Sequence, residues 1–443
     1  MHILGGGVIY PPLPLWEEDI YMHTIVFEVD NFADLVRLAS DTNMSNLTAE
    51  ELNVVQTVFG NTFDTHLQLD IRLTKNFDLN YSDYWNKPEG STFISMKRSK
   101  KIINYPGGGD YTVYLYKCID GGIYNNDNEV IGKHSITNIY LRQGSVFLNI
   151  EYAANDPINI SPTMKNIDIE VVSNSGYVAY NSGDSNSNKK DNKIFHNVCF
   201  NIKAYNLTNP LFYLKRAAGY SETGSPYGLI QFENCVFNVY IAVINNTNDT
   251  KNNIITVDSS AGYTGTINFY SCIFRIRNAS NKPYSIVYDI KYQSNAPMLV
   301  LKMDNCAIFL QDIGAEKPPY QDGDSPAQTF GKVCILRVNP VSISTSANCF
   351  KFVNSYIAAF GDVLVTEKVQ VLLVGYGSGF GELTTYATNC SSSFYDKNKV
   401  KVLYWANGSL QEVDQVWLRP LTTTECKDTN KLSEIGYIFC EET

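Results

Sequence analysis

The sequence predicts a mainly β solenoid, in which short strands stack in successive coils, and three observations lead to this fold class. First, an eight-residue pattern recurs seven times, with an apolar residue first, Asn or Ser third, and small or apolar residues at the fourth and sixth positions. Second, successive copies begin 28, 31, 37, 37, 34 and 49 residues apart, which is typical of stacked supersecondary units. Third, the apolar alternation changes parity across the third position, which indicates a sharp bend between two strands.

The third position of the pattern is the predicted bend. Asn suits such a bend because it tolerates the left-handed conformation and bonds to its own backbone nearby. The predicted bend residues are Asn138, Asn166, Asn197, Asn234, Ser271, Asn305 and Asn354. A β-sandwich also has short strands separated by turns, but it does not explain a change of parity that recurs in every copy.

Ahead of the coils, residues 1–23 form an apolar, Gly- and Pro-rich arm, and residues 24–105 are predicted to form an α/β cap. The prolines of the arm oppose helix and strand alike, so we expect the arm either to dock on a partner subunit or to be disordered.

Within the cap, a strand is predicted at residues 24–29 and another at residues 66–73, with a helix after Asn31 between them. Thr48 and Glu51 form a capping box for a second helix, which Gly60 is expected to end.

The coils are predicted over residues 106–374 and a C-terminal cap region over residues 375–443. Residues 118–124 look like an early coil, with glycines in place of the bend Asn. Stretches rich in polar residues are expected to be insertions at the corners, where they leave the stacked strands undisturbed. They lie at residues 173–190, 205–227, 278–295 and 312–329. In the tail we expect a strand pair at residues 401–405 and 413–417 and a short helix at residues 423–433.

The repeated pattern resembles that of right-handed parallel β-helices of the pectate-lyase type. In that family a turn between two short strands holds a stacked row of Asn side chains, the asparagine ladder. The bend residues match that ladder, with Ser271 as the one substitution, and the resemblance as a whole covers residues 24 to about 370. The resemblance implies a mainly β, right-handed single-stranded parallel β-helix with a small α/β N-terminal cap and a short β/α C-terminal region. It is weak evidence for activity, because this fold hosts unrelated functions.

Composition and charge argue against several classes of partner and location. The net charge of −10 and the lack of a long basic block argue against a nucleic-acid partner. No stretch is long enough to span a membrane. The N-terminus lacks the features of a secretory signal, so we expect synthesis in a cytoplasm without Sec export.

The ten cysteines are expected to be reduced and buried. Cys235, Cys272 and Cys306 occupy one repeat position and should stack in adjacent coils, where side chains that point the same way do not favour disulfides. There is no Cys-x-x-Cys pair and there are only five histidines, so neither a metal site nor a cofactor is predicted.

No catalytic residue is predicted. Hydrolases of the resembled family would carry Asn-Thr-Asp, Asp-Asp, Gly-His-Gly and Arg-Ile-Lys motifs; the first three are absent, and Arg275 and Arg277 match the last only in part.

Glu233 and Asp304 each precede a bend, with Tyr270 on the coil between them. At about 4.8 Å per coil, the distance between residues two coils apart comes near the upper limit of the roughly 5 to 9.5 Å that separates the two carboxylates of a glycosidase. Ordinary solvated surface is the simpler interpretation of these carboxylates.

A long acidic rod with many aromatic residues, an apolar arm and no export signal is similar to bacteriophage tailspikes, tail appendages and head fibres. The similarity implies a non-enzymatic virion protein for host attachment or decoration. It also implies a homotrimer that contacts other virion proteins through residues 1–23.

Tyrosines predicted in exposed loops offer stacking surfaces for a host surface polysaccharide, although they equally suit packing between protomers or along the coil. They are Tyr213, Tyr220, Tyr227 and Tyr292. Two alternative functions are a depolymerising tailspike (a glycoside hydrolase or lyase) and a cellular polysaccharide-active or adhesive protein. A secretory signal would have favoured the cellular protein.

Overall fold

The computed structural model describes residues 23–62, 65–85, 87–104, 108–151, 162–181, 193–215, 230–242, 244, 252–258, 266–279, 284–290, 300–312, 333–339, 347–353, 355–360, 369–374, 383–388, 390–392, 400–406, 409–413 and 418–420. The chain is mainly β, with two α-helices in this part, and its long parallel sheets are consistent with a parallel β-helix.

Residues 23–104, the predicted cap, contain both helices and strands. Its elements are β1 (His23–Val29), α1 (Phe32–Ser40), α2 (Ala49–Thr62), β2 (His66–Leu73), β3 (Phe77–Asp78), a 3-10 helix (Leu79–Tyr81), β4 (Thr92–Lys97) and β5 (Ser99–Asn104). The capping box is confirmed, because the Thr48 backbone N–H donates to Glu51 Oε2 at 2.7 Å and the Glu51 N–H donates to Thr48 Oγ1 at 3.1 Å. The predicted end at Gly60 is wrong: Gly60 lacks the left-handed φ of a C-terminal cap, and α2 continues to Thr62.

A coil contributes one strand segment before its bend and one after it, both in the first sheet. A third strand of the coil lies in the second sheet. The strands of the coils are β6 (Asp110–Asp120), β7 (Gly122–Tyr124), β8 (Val130–Leu141), β9 (Val146–Glu151), β10 (Met164–Asn174), β11 (Tyr177–Tyr180), β12 (Lys193–Asn206), β13 (Phe212–Lys215), β14 (Ile230–Glu233), β15 (Val236–Ile241), β16 (Asn253–Asp258), β17 (Thr266–Tyr270), β18 (Ile273–Asn278), β19 (Tyr284–Ile290), β20 (Val300–Asp304), β21 (Ala307–Asp312), β22 (Val333–Asn339), β23 (Ala347–Val353), β24 (Tyr356–Phe360) and β25 (Val369–Val374). In β10 and β12 both segments around the bend belong to one continuous strand.

The tail adds β26 (Leu383–Thr388), β27 (Cys390–Ser392), β28 (Val400–Ala406), β29 (Ser409–Val413) and β30 (Leu418–Pro420). The predicted strand pair is present, since β28 pairs antiparallel with β29. Its second strand begins at Ser409, earlier in the chain than predicted, because only two residues separate it from β28. The helix predicted at residues 423–433, the arm up to residue 22 and the loop tyrosines Tyr220, Tyr227 and Tyr292 lie outside the described residues.

Two sheets run along the stack. The first sheet follows β1, β2, β6, β10 and β12 and then carries paired segments of each coil, β14 with β15 through β26 with β27. The second sheet follows β4, β9, β11, β13, β16, β19, β22, β25, β28 and β29. Three of the four stretches predicted to be insertions therefore contain a strand of the second sheet, namely β11, β13 and β19. Those strands lack the repeated pattern and are too short to show their alternation in the sequence.

Like residues stack inside the coils because each strand pairs in register with the next. Phe232 lies between Phe195 and Phe269, with ring centroids 4.8 and 5.1 Å away and planes within 7°. Phe237 and Phe274, beyond the bend, stack at 4.6 Å and 2°. These rings are fully buried, so the stack forms the centre of the hydrophobic core.

Candidate functional site: the outer faces of the sheets

Five of the predicted bend residues occupy equivalent places on successive coils. Their φ angles lie between 51 and 56°, in the left-handed region. They are Asn166, Asn197, Asn234, Ser271 and Asn305. Asn197 Nδ2 donates to Asn166 Oδ1 at 2.9 Å, and Asn305 Nδ2 donates to Ser271 Oγ at 3.0 Å. Asn354 lies outside the described residues.

Asn138 also has a positive φ, but the structure places it away from this row. Ile136 pairs with Ile169 and Ile139 pairs with Val171, so Thr137 and Asn138 together face a single residue of β10. Asn138 is therefore the extra residue of a β-bulge, and its Nδ2 donates to Asp78 Oδ1 at 2.7 Å. Its left-handed φ is as predicted, but its predicted place in the stacked row is wrong, because the eight-residue pattern cannot tell a bulge from a bend.

Gly121 takes the bend position of that coil. The chain leaves the coil there to form the β7–β8 hairpin and returns where the His134 N–H donates to the Gly121 carbonyl at 2.7 Å. A Cβ at Gly121 would lie 2.7 Å from the Asn166 carbonyl oxygen, so only glycine fits. The hairpin brings Tyr124 back over the bend, where its hydroxyl accepts a hydrogen bond from Asn166 Nδ2 at 3.1 Å.

The residues that immediately precede the bends form one row on the outer face of the first sheet, which we call the outer polar row. By strand register it contains Arg72, Asp120, Lys165, His196, Glu233, Tyr270 and Asp304. Glu233 and Asp304 thus lie two coils apart with Tyr270 between them, as predicted. His196 Nδ1 lies 3.4 Å from Glu233 Oε2, and Lys302 Nζ lies 3.0 Å from Asp304 Oδ2.

The pKa of Glu233 is shifted away from that of a general acid. The hydrogen bond from His196 lowers the pKa of Glu233, and burial raises the pKa of Tyr270. A general acid needs a carboxyl group whose pKa is raised. The pKa of Glu233 is shifted in the opposite direction, and Asp304 lies beside Lys302.

The arginines of the partial motif lie beyond the bend. Arg275 and Arg277 alternate with the buried Phe274 and Ile276, so both point outward. Arg275 Nη1 donates to Asn238 Oδ1 at 3.4 Å on the neighbouring coil. This arrangement is that of an outward strand face and not of a hydrolase motif.

A buried ionic cluster, which the sequence does not reveal, occupies the start of the outer polar row. Lys165 Nζ lies 2.5 Å from Asp70 Oδ2 and 3.7 Å from Asp120 Oδ2. Lys165 is 6% exposed, Asp70 2% and Asp120 0%. The Tyr124 hydroxyl donates to Asp120 Oδ2 at 2.8 Å, so the β7–β8 hairpin covers the cluster.

On the second sheet, Tyr213 lies in strand β13 instead of the predicted exposed loop. Its ring stacks on Tyr180 of the preceding coil, with centroids 5.2 Å apart and planes at 17°. Tyr177 meets Tyr180 edge-on at 5.0 Å. All three rings are half-buried and together form what we call the tyrosine cluster. Tyr213 therefore packs along the coil, which is one of the two roles that the sequence allowed.

Polar side chains adjoin the tyrosine cluster. Tyr180 pairs in register with Asn149, whose Nδ2 donates to Glu151 Oε1 at 2.5 Å. Glu151 in turn lies 3.1 Å from Lys97 Nζ. This face thus places hydrogen-bonding groups beside aromatic rings.

The stacked cysteines are buried and free, as predicted for this part of the chain. The thiols of Cys235, Cys272 and Cys306 donate to backbone carbonyls of the preceding coil at 3.3 to 3.4 Å. Burial raises the pKa of the Cys272 thiol, which keeps it protonated and unreactive.

No protein-family model, no curated protein and no solved structure matches the chain. Among the described residues, no helix has both the length and the apolar character that a membrane crossing requires. The same residues contain no group of three or more His, Cys, Asp or Glu side chains arranged to hold a metal ion. Function therefore has to be inferred from the fold and its surfaces.

Proposed function

We propose that the protein is a non-enzymatic component of a bacteriophage virion, a stiff solenoid that attaches to a host glycan or decorates the particle. The observation that carries the glycan contact is the tyrosine cluster beside Asn149 and Glu151. Half-buried rings next to hydrogen-bonding groups suit the mixed apolar and polar surface of a sugar. All three rings are only half-buried, so part of the cluster reaches the surface.

The pairing of the outward carboxylates supports binding over cleavage. Each named carboxylate of the outer polar row lies within 4 Å of a basic side chain: Asp120 near Lys165, Glu233 near His196, and Asp304 near Lys302. Cleavage of a glycosidic bond requires one carboxyl group that stays protonated until it donates.

A depolymerising tailspike is the second candidate function, and one observation favours it. Glu233 and Asp304 point outward from one row, two coils apart. At about 4.8 Å per coil, this separation approaches that of an inverting glycosidase.

The deciding experiment incubates purified protein with host capsule and cell-wall polysaccharides. Bound polysaccharide, new reducing ends and unsaturated products are measured together. We expect binding without new ends, and Tyr180→Ala to weaken binding roughly three- to tenfold, the worth of one aromatic contact. Tyr81→Ala is the matched control, because Tyr81 is 88% exposed on the cap, away from the cluster.

New ends that disappear in Glu233→Gln or Asp304→Asn would establish the depolymerase instead. A protein that neither binds nor cleaves any host glycan would contradict the attachment role.

We further propose that the coils wind in a right-handed sense and that the bend residues form one continuous asparagine ladder through Asn354. The two hydrogen bonds between neighbouring bend residues support the ladder. The assembly is proposed to be a homotrimer that docks on other virion proteins through residues 1–23. Sedimentation equilibrium of the full chain and of a chain lacking residues 1–22 tests the trimer and the contribution of the arm to it, and a monomer under all conditions would contradict the trimer.

A further inference from the structure

The buried cluster around Lys165 holds an amine close to two carboxylates. Its amine lies 2.5 Å from one carboxylate oxygen of Asp70 and 3.7 Å from one of Asp120, and almost no water reaches the three groups. The amine and Asp70 lie 95 residues apart in the sequence. Strand β6 lies between the two groups: Lys165 of β10 pairs with Asp120 of β6, and Asp70 of β2 pairs with Cys118 of β6. The Lys165 side chain therefore spans β6 to reach Asp70.

We propose that Lys165 and Asp70 condense into an intramolecular isopeptide bond, with Asp120 as the catalytic proton carrier. Charges buried away from water lose much of their hydration energy, and their mutual attraction often fails to offset that loss. An amide in the same place carries no charge. Groups held at contact distance in a fixed geometry also react with effective concentrations of about 10⁵ M or more.

The step balances without any further reactant. A proton passes from the Lys165 ammonium to Asp70, which gives a neutral amine and a neutral carboxylic acid. The amine attacks Cγ of Asp70, and Asp120 takes the proton that the nitrogen loses. Asp120 then returns this proton to the departing Oδ2 hydroxyl, which leaves as water, while Oδ1 becomes the carbonyl oxygen of the new amide.

The surrounding donors fit these roles. Gln68 Nε2 donates to Asp70 Oδ1 at 2.7 Å, where negative charge develops during the attack. The Gly122 N–H donates to Asp120 Oδ1 at 2.9 Å, which fixes the orientation of the proton carrier. Tyr124 donates to the other oxygen of Asp120, and the Arg72 guanidinium packs over the Tyr124 ring at 4.1 Å. The hairpin thus holds the site closed to water.

Intact-mass spectrometry of the purified, denatured chain tests the bond. We expect a mass lower than that of the sequence by one water molecule, and a tryptic map that joins the Asp70 and Lys165 peptides. Trypsin does not cleave after an acylated lysine, so cleavage after Lys165 should be lost. A succinimide at Asp120–Gly121 would lose the same mass but would leave Lys165 cleavable, and this result would overturn the proposal.

Two variants and an internal control sharpen the test. Lys165→Arg keeps the positive charge but should show the full sequence mass. Asp120→Asn should also show the full mass, with folding checked by circular dichroism; complete cross-linking in this variant would overturn the role of Asp120. Lys302 and Asp304 form a comparable pair at 3.0 Å but are 31 and 27% exposed, so their peptides should stay unlinked. A wild-type chain of full mass with separate Asp70 and Lys165 peptides would overturn the bond itself.

Discussion

At the scale of single residues, the bends show how local chemistry selects a backbone conformation. A non-glycine residue in the left-handed region costs about 1–2 kcal/mol, and Asn reduces this cost through its short polar side chain. Asn197 in addition donates to Asn166. The left-handed φ recurs on five successive coils, and a second bond between neighbouring bend residues joins Asn305 to Ser271.

Replacing Asn197 separates these two effects. We expect Asn197→Leu to lower the free energy of unfolding by about 2 kcal/mol, from left-handed strain and a lost hydrogen bond. Asn197→Gly removes the hydrogen bond without the strain and should cost less. Urea unfolding of both variants provides the measurement, and equal losses would show that the φ angle is not what selects Asn.

Lys117 illustrates a buried charge with a pH-dependent cost. Its ammonium group donates to the carbonyls of Ala39, at 3.3 Å, and Asp41, near the C-terminus of α1. Burial lowers the pKa of Lys117 from its usual 10.5 to about 7. Between these two pH values the unfolded chain binds more protons than the folded chain, so this lysine makes stability rise with pH. Below about pH 7 both states are protonated and the contribution levels off.

Lys117→Met should therefore remove part of the pH dependence of stability. Urea unfolding at pH 7, 8 and 9 should show a slope smaller than that of the wild type, by up to about 1.4 kcal/mol per pH unit. Lys100→Met serves as the control, because Lys100 is exposed on the neighbouring strand β5. An unchanged slope in Lys117→Met would mean that Lys117 stays charged throughout this range.

At the scale of elements, the start of α2 is fixed locally and its end is not. The Thr48–Glu51 capping box satisfies backbone donors that the helix itself leaves unpaired. Glu51 also accepts from Arg37 Nη2 at 2.9 Å, which ties α2 to α1. Gly60 permits a helix end but does not enforce one.

Thr48→Ala should destabilise α2 by about 1 kcal/mol. The expected signature is faster amide hydrogen exchange over residues 49–62, with little change in the coils. Thr57→Ala is the control, because the exposed Thr57 hydroxyl bonds only within the helix, to the Asn53 carbonyl at 2.8 Å. Equal acceleration in both variants would argue against a special role for the cap.

At the scale of the whole molecule, stability comes from contacts between successive coils. The buried phenylalanines of a coil pack against one another and against those of the coils on either side, so the first coils need an additional constraint at the end of the stack. The proposed Lys165–Asp70 bond supplies one, because it closes a loop of 95 residues across β2, β6 and β10.

Lys165→Arg should consequently lower stability as well as restore the full mass. Cross-linking a loop of this length stabilises a fold by about 4 to 5 kcal/mol in the chain-entropy treatment. Thermal unfolding should show a lower midpoint than that of Lys133→Arg, a control that conserves the half-exposed contact of Lys133 Nζ with Asp168 at 3.7 Å. Equal midpoints for the two variants would contradict a stabilising cross-link.

The sequence by itself determined the bends, the inward parity of the strands, the cap helices and the stacked thiols, because each follows from residues within one turn or one repeat. The tertiary structure decided what depends on neighbouring coils. Asn138 became a bulge because its strand pairs out of step with β10. Gln68 and Asp70 alternate with apolar residues along β2, yet both are buried, and Asp70 pairs with a lysine 95 residues away under the β7–β8 hairpin. The register of strand pairing and the burial of polar side chains are set by elements distant in the chain, so no local sequence pattern predicts them.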